Sequence, residues 1–419
     1  MVQFQFSLFY NFQMLIQNSN FYRKYYLLFK TLDLSNISSK NYGIGRTGYS
    51  RRAMFRAFIV KNLEQIKSVP ALISFLDSHP ALCEMCGFDM GVLPDASQFY
   101  RFLSHTSNSL LQNIHHSINK ELLNKNIISS DILIADSKPV MAASKENNFK
   151  NPNRNTRNKY KKAKHNPAAT LGYYSYQSIN GQKDNFIFFW GYRTHVIVSK
   201  EGIPLVELTL PNNITDAKAA RKLMKKFKRV YGCRKGFIFI ADAAYDERDF
   251  YNFIVNKFKG QAFIPINPRN QQKPKTFGTH GCPLCDAGLE MKSDGTWTEA
   301  LRKRAKFRCP INHPNFNPYG CTKYLDITDN ARSHVPRDTS FYKSTFNLRT
   351  EVERYFARLG DRELEQTTHY KMKIIKNQMT IAHLAMSLVA AAAALLMLKP
   401  DKIRCYRTFA NESANCLTG

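Results

Sequence analysis

Two stretches of this chain end alike. Ile132-Leu-Ile-Ala-Asp136 and Phe237-Ile-Phe-Ile-Ala-Asp242 are apolar runs closed by Ala-Asp, with the aspartates 242 − 136 = 106 residues apart. Short runs of aliphatic, β-branched and aromatic residues read as buried strands. A carboxylate where such a strand ends has a function or a partner, because an unpaired buried charge is costly. A third acid, Glu353, lies in the helical pattern Arg349-Thr-Glu-Val-Glu353-Arg-Tyr-Phe. Arg349 and Glu353 are four apart and share a face, while Glu351 points elsewhere. Oxygen donors of this kind suit a hard divalent cation, Mg2+ or Mn2+. Two such ions ~4 Å apart activate a water or a 3′-hydroxyl and stabilise the leaving oxygen of an in-line phosphodiester displacement.

A second donor set is built on sulfur. Cys282-Pro-Leu-Cys285 is followed, after 23 intervening residues, by Cys309-Pro-Ile-Asn-His313 and then by Cys321. Two half-sites roughly twenty residues apart form a zinc ribbon around tetrahedral, structural Zn2+. Cys282, Cys285, Cys309 and Cys321 are the expected ligands, with His313 competing with Cys321 for the fourth place. Cys83-x2-Cys86 has no second pair nearby and reads as buried thiols. Nine cysteines in 419 residues do not make a secreted disulfide scaffold; reduced thiols and metal point to the cytoplasm.

The charge balance supplies a partner. With 61 Lys+Arg against 32 Asp+Glu the net charge is +29, which fits a polyanion and above all nucleic acid. Residues 150–164 hold seven Lys/Arg, and no acid occurs between Asn147 and Lys183. In this stretch Lys159, Lys161, Lys162 and Lys164 are candidate DNA contacts, with Tyr160, Tyr173, Tyr174 and Tyr176 offering faces that stack on bases. Arg302, Lys303 and Arg304 open a second basic cluster between the cysteine pairs. Trp297 stands just before it; such a residue either packs a small core, the commoner role, or offers a stacking face.

These residues need elements to position them. Residues 1–45 are an aromatic-rich lead-in, and 46–127 are a helical N-terminal domain expected to bind DNA. Within it Asp95 heads a capped helix, and Pro70, Pro80 and Pro94 punctuate the chain. Residues 128–398 alternate strands and helices in a mixed α/β order, interrupted over 268–340 by the cysteine-bearing insertion. Here Phe186–Lys200 reads as a strand or hairpin and Ile203–Leu210 as a strand, and Thr215 or Asp216 caps a helix over 217–231. Met379–Leu398 is 20 residues long and almost uncharged; its Ala-rich composition after a basic amphipathic stretch predicts a buried core helix and no membrane partner. Residues 399–419 read as a mobile tail.

Four motifs in this order resemble the DDE transposases of bacterial insertion sequences. They are IADSKPV with Asp136, GYRTHVIVSKEGIPLVELTLPNNITDA from Gly191 to Ala217, IADAAYD with Asp242, and RTEVERYFARL with Glu353. The resemblance covers about residues 50–398. It implies an RNase H-like mixed sheet with flanking helices, preceded by an all-α domain and interrupted by the ribbon. It further implies a metal triad of Asp136, Asp242 and Glu353, double-stranded DNA as partner, and a homodimer assembled on DNA. The implied activity is metal-dependent strand cleavage and strand transfer at element ends, with Arg349 orienting Glu353 or meeting the scissile phosphate. The rival readings are a nuclease of the same fold that does not join strands, and a zinc-ribbon regulator with an inactive core. The family's last motif, Tyr-x2-Arg-x3-Glu-x6-Lys, falls here on Phe346, Arg349, Glu353 and Gly360, so its tyrosine and lysine are replaced; Arg358 and Arg362 flank the lysine's place.

Overall fold

The computed structural model describes residues 14, 18–39, 48–89, 92–147, 163–176, 185–267, 276–299, 302–310, 321–328, 330–360, 367–399 and 402–415. Among the described residues six helices come first: α1 (Asn20–Lys30), α2 (Arg51–Leu63), α3 (Val69–Asp77), α4 (Pro80–Cys86), α5 (Ala96–His105) and α6 (Asn108–Asn124). Side-chain caps fix where several begin. Ser50, Ser68 and Asp95 accept from the backbone amides of Ala53, Ala71 and Ser97, and Pro70 sits in the first turn of α3. Cys83 and Cys86 are buried in this helical core.

The sheet follows. It holds β1 (Ile132–Met141), β2 (Thr170–Tyr176), β3 (Asn185–Ser199), β4 (Pro204–Pro211), β5 (Ile238–Ile240) and β6 (Gln261–Phe263). Helix α7 (Asp216–Tyr231) connects β4 to β5, and α8 (Arg248–Asn252), continued by a π-helical turn over Phe253–Lys257, connects β5 to β6. The order is β4-β3-β1-β5-β6, with β2 paired to the first half of β3. β1 and β4 run antiparallel to β3, whereas β5 and β6 run parallel to β1. This is the mixed, RNase H-like sheet that the motifs imply. The expected strand or hairpin is one long strand, Asn185–Ser199, with β2 paired along its first half and both β1 and β4 along its second.

A separate antiparallel sheet forms in the insertion, from β7 (Lys292–Glu299), β8 (Arg302–Arg308) and β9 (Thr322–Asp326). Its small core is Cys282, Cys285, Met291, Ala305, Phe307 and Ile327. Trp297 is not part of that core. It is 38% exposed and meets the edge of Tyr324 at 5.8 Å on the outer face. Four helices close the chain: α9 (Ser340–Phe346), α10 (Thr350–Leu359), α11 (Met372–Leu395) and α12 (Tyr406–Asn415).

α11 is apolar on all sides because it serves two cores. Met379, Ala382 and Met386 pack with Ile134, Val196, Val198 and Tyr355 on one side of the sheet. Ile381, Leu384, Ala385 and Leu388 join the core shared by the N-terminal helices, α7 and Leu133 and Ala135 of β1. The helix is long and apolar enough to cross a membrane, yet 83% of its most apolar window is buried within the fold. Buried polar contacts cross the same junction. Glu207 of β4 accepts from Thr380 of α11 at 2.6 Å and from Gln112 of α6 at 3.0 Å, while Lys226 of α7 donates to the Glu207 carbonyl at 2.8 Å. The N-terminal helices therefore share a continuous core with one face of the catalytic sheet.

Residues 406–415 are tied to the first helix. The expected mobile tail instead forms α12, which packs on α1: Arg23 donates to the Ser413 carbonyl, and Glu64 accepts from Lys24, Tyr25 and Tyr406. The reason is the aromatic lead-in, whose Tyr25 and Leu28 need a cover that Phe409 and Ile403 supply.

His383 of α11 is fully buried between the Tyr355 hydroxyl at 2.5 Å and Thr194 Oγ1 at 3.0 Å. Burial pushes its pKa from 6.5 down to about 4, with smaller opposed effects from Glu207 and Lys226. The unfolded chain thus takes up a proton at a higher pH than the folded one. Stability falls as pH drops below about 6.5 and has lost ~3 kcal/mol through this group near pH 4. Guanidinium unfolding at pH 7 and pH 4.5 checks this: His383→Gln should shrink the acid-induced loss, and an unchanged loss contradicts it.

Candidate active site

Strand pairing brings the first two acids together. Ile132, Leu133 and Ile134 of β1 lie opposite Ile238, Phe239 and Ile240 of β5 in parallel register. The strands therefore run in step, and Asp136 and Asp242 stand at equivalent places two residues beyond Ile134 and Ile240. β1 continues to Met141, whereas β5 ends and Asp242 heads the short 3-10 turn Ala243–Tyr245, accepting from the Ala244 amide at 3.0 Å. Asp136 accepts from the Ser137 amide at 2.7 Å. Burial, then the charge of Asp242, push the Asp136 pKa from 3.8 to about 7; burial and Asp216 raise that of Asp242. Two crowded, dehydrated carboxylates resist ionising together, and a divalent cation between them removes that conflict. The donor set fits a hard ion.

Glu353 reaches this pair through Arg349. Arg349 Nη1 lies 2.7 Å from Glu353 Oε1, and its positive charge lowers the pKa of both Asp136 and Asp242. Glu353 is on the exposed face of α10, while Val352, Tyr355 and Phe356 hold the helix on the sheet. Glu351 is buried, gripped by Arg354 and by Arg404 from the segment before α12. Among the described residues, the one trio of acid, His or Cys donor atoms all within 4.8 Å of one another is Cys285, Cys309 and Cys321. The three carboxylates are more widely spread, with the Arg349 guanidinium serving both sides.

The ribbon assembles three of its four expected cysteines. Cys285 Sγ and Cys309 Sγ are 3.8 Å apart. Cys282 is buried just outside the trio, its thiol pushed up to about 12 by burial and by Asp338 and Glu290. His313 lies outside the described residues. So do Lys159, Lys161, Lys162 and Arg362, whereas Lys164 is exposed. Arg302 and Lys303 are exposed on β8, and Arg304 lies 3.4 Å from Glu299.

The ribbon's return segment is clamped to the catalytic loop. Arg332 meets Asp246 with two bonds of 2.7 and 2.6 Å, Tyr251 and the Asn267 amide also donate to this carboxylate, and Arg337 binds the Ile264 carbonyl. Asp246 is thus a structural anchor four residues after Asp242. At the altered signature positions, Phe346 stacks on Tyr342 with 5.6 Å between centroids, and Gly360 ends α10 at φ 69°. Arg358 is tied to the Gly202 carbonyl at 3.0 Å.

Several residues around the aspartates escaped the sequence reading: Ser137, Arg193, His195, Asp216 and Tyr245. Arg193 Nη1 donates to Ser137 Oγ at 3.1 Å, and Ser137 Oγ donates to Asp216 Oδ1 at 2.8 Å. The signal was present in GYRTHV and NNITDA, but Asp216 looked like an alternative helix cap. The cap is Thr215, which accepts from the Lys218 amide.

A family model described as Transposase DDE domain matches residues 129–388, and one described as Transposase domain (DUF772) matches residues 11–105. No curated protein matches the sequence. Among solved structures the chain is similar to a piggyBac transposase in a synaptic complex with hairpin DNA. That similarity has 9% identity and a TM-score of 0.40, and covers 94% of this chain and 80% of that one; it is too distant to carry an argument. The DDE match alone spans more than half of the 419 residues and contains Asp136, Asp242 and Glu353, so the chain belongs to the DDE transposase family and is a transposase.

Proposed function

We propose that this transposase performs divalent-metal-dependent strand cleavage and strand transfer on double-stranded DNA at the ends of an insertion sequence. The observation that carries the proposal is the in-step pairing of β1 with β5, which sets Asp136 beside Asp242 in a dehydrated, like-charged pair. Asp136 and Asp242, with Glu353, would hold Mg2+ or Mn2+. The bound ions supply Lewis acidity toward the attacking and leaving oxygens. The remaining work belongs to side chains. Arg349 is placed to hold Glu353 and to exchange that contact for a phosphate oxygen. The net charge of +29, with the basic segment 150–164 and the outer residues of β8, holds the DNA backbone in a salt-dependent way. A homodimer on DNA would bring two element ends together.

Structural Zn2+ in the ribbon rests on Cys285, Cys309 and Cys321, with Cys282 or His313 as the fourth ligand. A nuclease that cuts without joining shares every feature of the carboxylate site. A regulator with an inactive core draws on Phe346 and Gly360, but the retained carboxylates oppose it. Supplying pre-cleaved ends and target duplex separates these: joined products support the transposase, and binding without chemistry supports the regulator.

In a single-turnover assay on labelled element-end DNA with Mg2+, Asp242→Asn should slow cleavage by at least about a hundredfold. Cleavage at the wild-type rate removes Asp242 from the site. Metal analysis of the purified chain should give one zinc per protein, and Cys309→Ser should reduce it to near zero. Full zinc retention in that variant means that the ribbon ligands are wrongly assigned.

A further inference from the structure

We propose that Asp216 is a fourth carboxylate of the divalent-cation site, held in place by Ser137, and that the Tyr245 hydroxyl faces the same space. The inference rests on the metal-dependent reading above and adds a ligand to it. The ordinary role for an acid in the first turn of a helix is to favour the helix dipole. Asp216 goes beyond that role. Thr215 already caps α7, and the Asp216 carboxylate turns toward the sheet. Ser137 joins the two acids: its amide donates to Asp136 Oδ1 at 2.7 Å and its hydroxyl to Asp216 Oδ1 at 2.8 Å.

Among the described residues no Lys or Arg forms an ion pair with Asp216. The nearest basic group is His195, whose Nδ1 lies 3.4 Å away. That ring is fully buried. Arg193 spends its bonds on Ser137 Oγ and the Tyr173 carbonyl. A partly buried carboxylate linked through Ser137 to a second one, with no Lys or Arg ion pair among the described residues, is an expensive arrangement unless an ion completes it.

Tyr245 points to the same conclusion independently. The residue is 1% exposed, and its hydroxyl has no hydrogen-bond partner among the described residues. Burial and then the charges of Asp216, Asp136 and Asp242 all hold its proton on. A hydroxyl that feels three carboxylates yet bonds to none has space between itself and them. Buried hydroxyls without partners are rare, and a water bound to a cation would satisfy this one. Hard cations take about six oxygen ligands, more than two aspartates and an arginine-tethered glutamate supply.

The test is Mn2+ binding to the full chain with its zinc intact, titrated by electron paramagnetic resonance without DNA. Asp216→Asn keeps the side-chain shape and an acceptor for Ser137. It should weaken Mn2+ binding at least about tenfold with an unchanged thermal midpoint, and Asp242→Asn should do the same or more. If Asp242→Asn binds weakly while Asp216→Asn binds like wild type, the fourth ligand is wrong and the metal reading stands. If Asp242→Asn binds like wild type, the metal reading itself fails. Should Asp216→Asn not fold, Tyr245→Phe removes one hydroxyl from the same space. A drop of about threefold or more supports the proposal, and wild-type affinity overturns it.

Discussion

The constraint on which the site depends is electrostatic. Parallel pairing of β1 with β5 delivers two carboxylates to one place, and the surrounding core strips water from both. Such a pair is unfavourable in an otherwise apolar sheet, and the molecule surrounds it with fixed dipoles and positive charge. The Ser137 and Ala244 amides meet the two aspartates, and Arg193 and Arg349 approach from β3 and the start of α10. None of these neutralises the pair outright, since both aspartates keep raised pKa values. In the proposed reaction a mobile cation, and the phosphate that accompanies it, would complete the site.

Holding like charges together needs a stiff frame, and α11 provides it. This helix contributes to the cores on both sides of the sheet and carries Thr380, His383 and Ser387 into buried polar contacts with β4, β3 and α10. The N-terminal helices are consequently continuous with the catalytic core. Two further ties reach the site from a distance. Arg332 fixes the ribbon's return segment to Asp246, and Arg404 fixes the C-terminal segment to Glu351, two residues before Glu353. The segments on either side of the catalytic helix are thus mechanically linked to the acids.

Much of this was legible in the sequence because it follows local periodicity. The two Ile-Ala-Asp endings, the Arg349–Glu353 spacing and the all-round apolar character of α11 each encode one element and its environment. What was not legible depends on distant contacts. Nothing local shows that residues 20–30 would be covered by residues 406–415, or that Cys282 would sit beside a cysteine trio and not within it. Asp216 was hidden for another reason. An acid after Thr215 satisfies the rules of helix capping, and only the hydroxyl of Ser137, from a strand 79 residues earlier, turns it toward the catalytic acids.

The most direct test of the central claim is a crystal structure of the full chain grown with Mn2+, read by anomalous scattering at the manganese edge. The account predicts a manganese peak between the carboxylates of Asp136 and Asp242. A chain with β1 and β5 paired as described, but with no manganese there or with it bound elsewhere, would contradict the account.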